Sequence, residues 1–74
     1  MTRPFAGDGL VTRRLRLADR DVVWLRSVLE GYDGLASLHG DRSGVVTLIA
    51  PAQRARELDA LLDDLEREAV VLRL

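Results

Sequence analysis

A single α+β domain, four antiparallel strands with two helices laid over one face, is the fold class that the sequence predicts. Three observations carry it: period-two alternation of apolar residues near both ends of the chain, two stripes of apolar residues at helical spacing, and clusters of turn formers between them. The chain has 74 residues, no cysteine, one histidine and a formal net charge of -1. A domain near this size buries only about 60% of the surface that its unfolded chain exposes. Disulfides are ruled out and a metal is poorly supported, so self-association is the open route to added stability.

Met1 to Gly9, with Pro4, Gly7 and Gly9 and no periodic apolar pattern, reads as a flexible leader, and residues 10–74 read as one domain. From Leu10 onward, Val11, Leu15 and Leu17 fall on one face of a strand, with Thr12, Arg14 and Arg16 on the other. Arg13 is the misfit on the apolar side. Asp19 offers an N-cap carboxylate and Asp21 a second negative charge in the first helical turn. Val22, Leu25, Val28, Leu29 and Tyr32 then form the stripe of a helix lying on a sheet, with Trp24 outside it. The helix is expected to stop near Glu30, because Gly31 and Gly34 in LEGYDGLASLHG can close it in the left-handed conformation.

Leu35 to His39 alternates as a second strand. Gly40 to Gly44 is turn-rich, and Val45 to Ile49 is a β-branched third strand, so the pair makes a hairpin. Pro51 is placed to open a second helix. Ala55, Leu58, Leu61, Leu62 and Leu65 form its stripe, while Asp63 and Arg67 stand one turn apart as an ion pair. Val70, Leu72 and Leu74 alternate with Val71 and Arg73 in a closing strand, although no glycine marks the end of the helix before it. The order β-α-β-β-α-β is that of a ferredoxin-like sandwich with strand order 4-1-3-2. The core expected on this basis is Leu15, Leu17, Val22, Leu25, Leu29, Leu38, Val46, Leu48, Leu58, Leu61, Leu62, Leu65 and Leu72.

Composition narrows the functions. No apolar run is long enough for a signal-peptide core or a membrane span, so a cytoplasmic protein with no membrane partner is expected. All eleven basic residues are arginine, a bias that a GC-rich bacterial genome explains. The net charge argues against a general nucleic-acid coat. The arginines are uneven, however: residues 1–26 hold six against three acids, and residues 53–68 hold three against six.

The stretches DVVWLRSVLEGYDGLASL, GVVTLIAP and ELDALLDDLE together resemble a family of small bacterial proteins catalogued only as a domain of unknown function. The resemblance implies a lineage and brings no activity or catalytic residue. The topology is also similar to that of ACT-type regulatory domains, which pair through sheets and bind amino acids. Their ligand sites tend to use a glycine-containing turn between the first strand and first helix. Leu17-Ala18-Asp19-Arg20-Asp21 has no glycine and carries two acids.

Chemistry is sparse. His39 has no second histidine or cysteine at metal-ligand spacing, and Ser37 is its sole local candidate partner for acid–base work. Asp59, Asp63 and Asp64 stand on a regular helix as a solvated face, without a glycine turn to wrap oxygens around calcium. LVTRRLRL and GVVTLIA lack the aromatic residues on which RNA bases stack. No enzyme, cofactor or metal is expected. The leading expectation is a self-associating regulatory or interaction module, a homodimer or higher oligomer, with Trp24, Leu35, Val45, Ile49 and Val71 at the interface. The alternative is binding of a small anion or nucleic acid through Arg14, Arg16 and Arg73, gathered on the sheet face away from the helices.

Overall fold

The computed structural model describes residues 9–41 and 43–74. The leader expected at the N-terminus lies, for residues 1–8, outside the described residues, as does Arg42 of the hairpin loop. The elements run β1 (Leu10–Arg16), α1 (Asp19–Gly31), β2 (Ser37–Gly40), β3 (Val45–Pro51), a 3-10 turn (Ala52–Arg54), α2 (Ala55–Arg67) and β4 (Leu72–Arg73). All neighbouring strands are antiparallel in the order β2-β3-β1-β4. This is the expected 4-1-3-2 read from the other edge.

The register explains which side chains meet the helices. Leu15 pairs with Val46 and Arg13 with Leu48 across β1 and β3, and Leu38 pairs with Leu48 across β2 and β3. Leu15, Val46 and Leu48 are buried with Leu25 and Leu29 of α1 and Leu58, Leu61, Leu62 and Leu65 of α2. Both helices therefore cover that face. Thr12, Arg14, Arg16, Ser37, His39, Thr47 and Ile49 alternate with these residues and lie on the other, open face.

Local signals place the helix ends. Ala18, not Asp19, is the N-cap of α1, so Asp19 and Asp21 act on the first turn through the macrodipole without a side-chain capping bond. The helix runs through Gly31, and the left-handed residues are Asp33 (φ 58) and Gly34 (φ 74). Arg54 holds this turn: it donates to the carbonyls of Tyr32 (2.9 Å) and Asp33 (3.1 Å) while its other edge forks onto Glu57 (3.0 Å). The LEGYDGLA glycine pattern is thus a helix exit clasped from the start of α2. Pro51 ends β3 and caps the 3-10 turn, so α2 begins four residues later than a helix opened by Pro51 would.

α2 closes without glycine. The Val70 N–H donates to the Leu65 carbonyl and the Ala69 N–H to Glu66, both at 3.0 Å, with Ala69 at φ 61. This is a Schellman closure with alanine in the left-handed position. The left-handed form costs an L-residue about 1–2 kcal/mol, so Ala69→Gly is expected to stabilise the fold by about 0.5–1 kcal/mol after its added chain entropy is subtracted. A thermal melt at or below that of the parent would contradict this turn.

One core expectation and two neighbouring placements are corrected. Leu72 is 56% exposed while Val71 is buried, because the turn at Glu68–Val70 sets β4 one residue out of the expected register, and one residue exchanges the faces of a strand. Leu35 is fully buried: β2 begins only at Ser37, so the alternation does not extend back to it. Tyr32 lies in the exit turn of α1 and is exposed. Val22 and Leu38 are partly buried against the core.

Candidate functional site

The open face is built from four strands. Across it stand Ser37 and His39 of β2, Val45, Thr47 and Ile49 of β3, and Thr12, Arg14 and Arg16 of β1. Leu72 lies opposite Arg16, and the Leu74 N–H donates to the Arg14 carbonyl at 3.0 Å, carrying the pairing one residue past β4. Leu72 and Leu74 are 56% and 57% exposed, and Leu10, opposite Pro51, is 49% exposed. Leu72 and Leu74 thus flank the two exposed arginines on the β4 side. Among the described residues no carboxylate lies within ion-pair distance of Arg14 or Arg16. Asp41, whose carboxylate accepts from the Ser43 hydroxyl (2.6 Å) and N–H (2.7 Å), is held below the usual carboxylate range chiefly by those bonds, with a small contribution from Arg14.

Arg73 does not join them. It pairs with Leu15 and therefore stands on the helix-covered face. There it bonds Asp63 and Asp59 (3.4 Å) of α2, with Glu66 at 4.0 Å. The three-arginine convergence expected from the sequence is thereby reduced to Arg14 and Arg16, because the β4 register turns Arg73 over. Asp63, expected to pair with Arg67, is taken by Arg73, and Arg67 bonds Asp64 at 2.9 Å.

The same cluster resolves the misfit at Arg13. Its guanidinium forks onto both oxygens of Asp59 (2.8 and 3.1 Å) and donates to the Thr12 carbonyl (2.8 Å). The Arg13 hydrogen bond holds the Asp59 carboxyl below its ordinary range against the opposing pull of burial, and the charges of Arg13 and Arg73 add to it. Asp59 is thus a half-buried acceptor for two arginines, where sequence reasoning placed a solvated acid. The signal that could have found it was Arg13 itself, a cation on an apolar strand face that needs a carboxylate from the helix above.

The expected interface residues separate into three places. Leu35 and Val71 are in the core, Ile49 is half-buried on the open face, and Val45 is on that face but buried beside Arg16. Trp24 is exposed on α1, across the sheet from Ile49. The Ser37 hydroxyl and His39 Nε2 lie 3.1 Å apart on the exposed surface, with no carboxylate bonded to the imidazole among the described residues. Among the described residues no helix is long and apolar enough to cross a membrane.

No curated protein and no solved structure matches the chain. A family match spans residues 15–68, from the last two residues of β1 to just past the end of α2, and includes Arg16 and the Arg54 clasp but neither Arg14 nor β4. With most of its length matched, the chain belongs to the family described as a domain of unknown function, DUF4911.

Proposed function

We propose that the protein is a self-associating interaction module of ferredoxin-like fold, regulatory in role and cytoplasmic in a bacterial setting, whose copies pair while the open sheet face meets a ligand or partner. The observation that best supports a ligand- or partner-binding face is that Leu10, Leu72 and Leu74, each about half exposed, lie on it with Ile49, Arg14 and Arg16 and no helix over them, while the small core of a 74-residue chain supports the pairing of copies. Exposed leucines gathered on one uncovered sheet face of a small domain point to an interaction site. Sedimentation velocity from micromolar to about a hundred micromolar tests the association. A dimer or larger species is expected, and a monomer throughout that range would overturn the reading.

A second reading rests on Arg14 and Arg16, adjacent on the open face without a carboxylate at ion-pair distance among the described residues. Such guanidinium groups bind phosphate or carboxylate as charge-assisted donors. Ligand binding to the native state raises its apparent stability, so a thermal screen with phosphate, nucleotides and carboxylates should show a rise that Arg14→Glu with Arg16→Glu abolishes. A flat screen would leave the open face to protein partners.

A further inference from the structure

The sheet has two edges, and they differ in how they meet a neighbouring strand. On the β1/β4 side, β4 is two residues long, and the Arg13 guanidinium lies over the edge, bonded to the Thr12 carbonyl and Asp59 and close to Arg73. Charged side chains on an edge are a device that blocks strand addition. The β2 edge reads Ala36-Ser37-Leu38-His39-Gly40, without arginine, acid or proline in the strand itself, and β2 is four residues long where β4 is two. The Asp41 N–H donates to the Val45 carbonyl, and by antiparallel alternation His39 and Ser37 also turn their backbone groups to β3. Ala36, Leu38 and Gly40 therefore present theirs outward.

We infer that two copies of this chain pair antiparallel through β2, with the twofold axis at Leu38, to make one continuous eight-stranded sheet. This rests on the self-association proposed above and assigns its surface. In that register Leu38 meets Leu38 of the second copy and Ala36 meets Gly40, so every outward donor and acceptor of the edge finds a partner and no proline interrupts it. The half-buried Leu38 side chains cover each other on the helix side of the sheet.

Charge complementarity supports a second copy as the occupant. A cleft of about 370 Å³ runs beside the β2 edge, lined by Arg26 and Glu30 of α1 and by Asp33 of its exit turn together with Ser37 and Leu38. Arg26 and Glu30 are exposed, one helical turn apart, on the flank of α1 that overhangs this edge. A twofold axis at the edge lays α1 antiparallel to its copy, which opposes the Arg26 end of each flank to the Glu30 end of the other. The open face, by contrast, would bring Arg14 and Arg16 of two copies together, which disfavours that face as the self-contact.

The test is a charge exchange read by sedimentation equilibrium, with circular dichroism confirming that each variant is folded. Arg26→Glu and Glu30→Arg each place like charges across the axis and should weaken the dimer about tenfold or more. The double variant R26E/E30R should restore it to near the parent affinity. If the parent associates but the single changes leave the affinity unaltered, or the double variant fails to recover it, the β2 edge is not the contact. If the parent is a monomer, the self-association reading falls as well.

Discussion

Replacing Leu62 with alanine is expected to remove about 3–5 kcal/mol of stability, the loss typical of a fully buried leucine whose cavity cannot collapse. Leu62 has no exposed surface and packs in the cluster that includes Leu15, Leu25, Leu48 and Leu58. A chain of 74 residues has a total stability of about 4–11 kcal/mol, so the variant should be largely unfolded in moderate urea. Leu72→Ala is the matched control. That side chain is 56% exposed on the open face, and its truncation should change stability by less than about 0.5 kcal/mol. Equal losses in the two variants, measured by urea denaturation, would mean that β4 sits in the other register.

The second expectation concerns the ion pairs beneath α2. Asp59→Leu leaves Arg13 on an apolar face without its carboxylate and should cost about 1–2 kcal/mol, less than a deeply buried pair because both heads reach water. Adding Arg13→Met should recover most of that loss, since two apolar side chains of similar size replace the pair without leaving a charge behind. Acidification reads the same contact. Arg13 holds the Asp59 carboxyl below its unfolded value, so its contribution is fully present above the ordinary carboxylate range of roughly pH 4 and is lost as pH falls through the folded value. Asp41 and Glu57 are depressed in the same direction by Ser43 and Arg54. The parent should therefore lose stability steeply in acid, and Asp59→Leu less steeply. Parallel acid limbs in the two proteins would remove Asp59 from the account.

The sequence discloses most of the architecture and little of the site, for one reason. Helix stripes and the hairpin are local patterns: Leu58, Leu61, Leu62 and Leu65 can face only one way on a helix, and Asp41, Ser43 and Gly44 are turn formers between two alternating runs. The position of β4 is not local. Val70, Val71, Leu72 and Leu74 are all apolar, so alternation fits either face, and what decides is the left-handed turn at Ala69, a conformation that alanine does not advertise. That single register carries Arg73 from the open face to Asp59 and Asp63, and Leu72 from the core to the surface. Arg13 did carry a legible signal, since a charge on an apolar strand face implies a partner above it. Leu35 was misplaced because an alternating run was extended through a turn that breaks it.

The shortness of β4 divides β1 into two populations of backbone amide. Odd-numbered residues of β1 turn their groups to β3, as the neighbouring bond from the Leu17 N–H to Gly44 indicates, whereas Arg14 and Arg16 turn theirs to β4. β3 lies in the middle of the sheet and releases its partners only when the whole domain opens. β4 is held to β1 by two paired residues and the bond from Leu74, and to α2 by the ion pairs of Arg73, so its opening breaks fewer backbone bonds than the opening of β3. Alternate amides along one strand then exchange with solvent at rates set by two different free energies. The lifted state bares β1 as a longer edge and exposes Val71 at the same moment. Detachment of this two-residue strand thus lengthens the edge that β1 offers to another chain, and Arg13 is the charged side chain that stays on it.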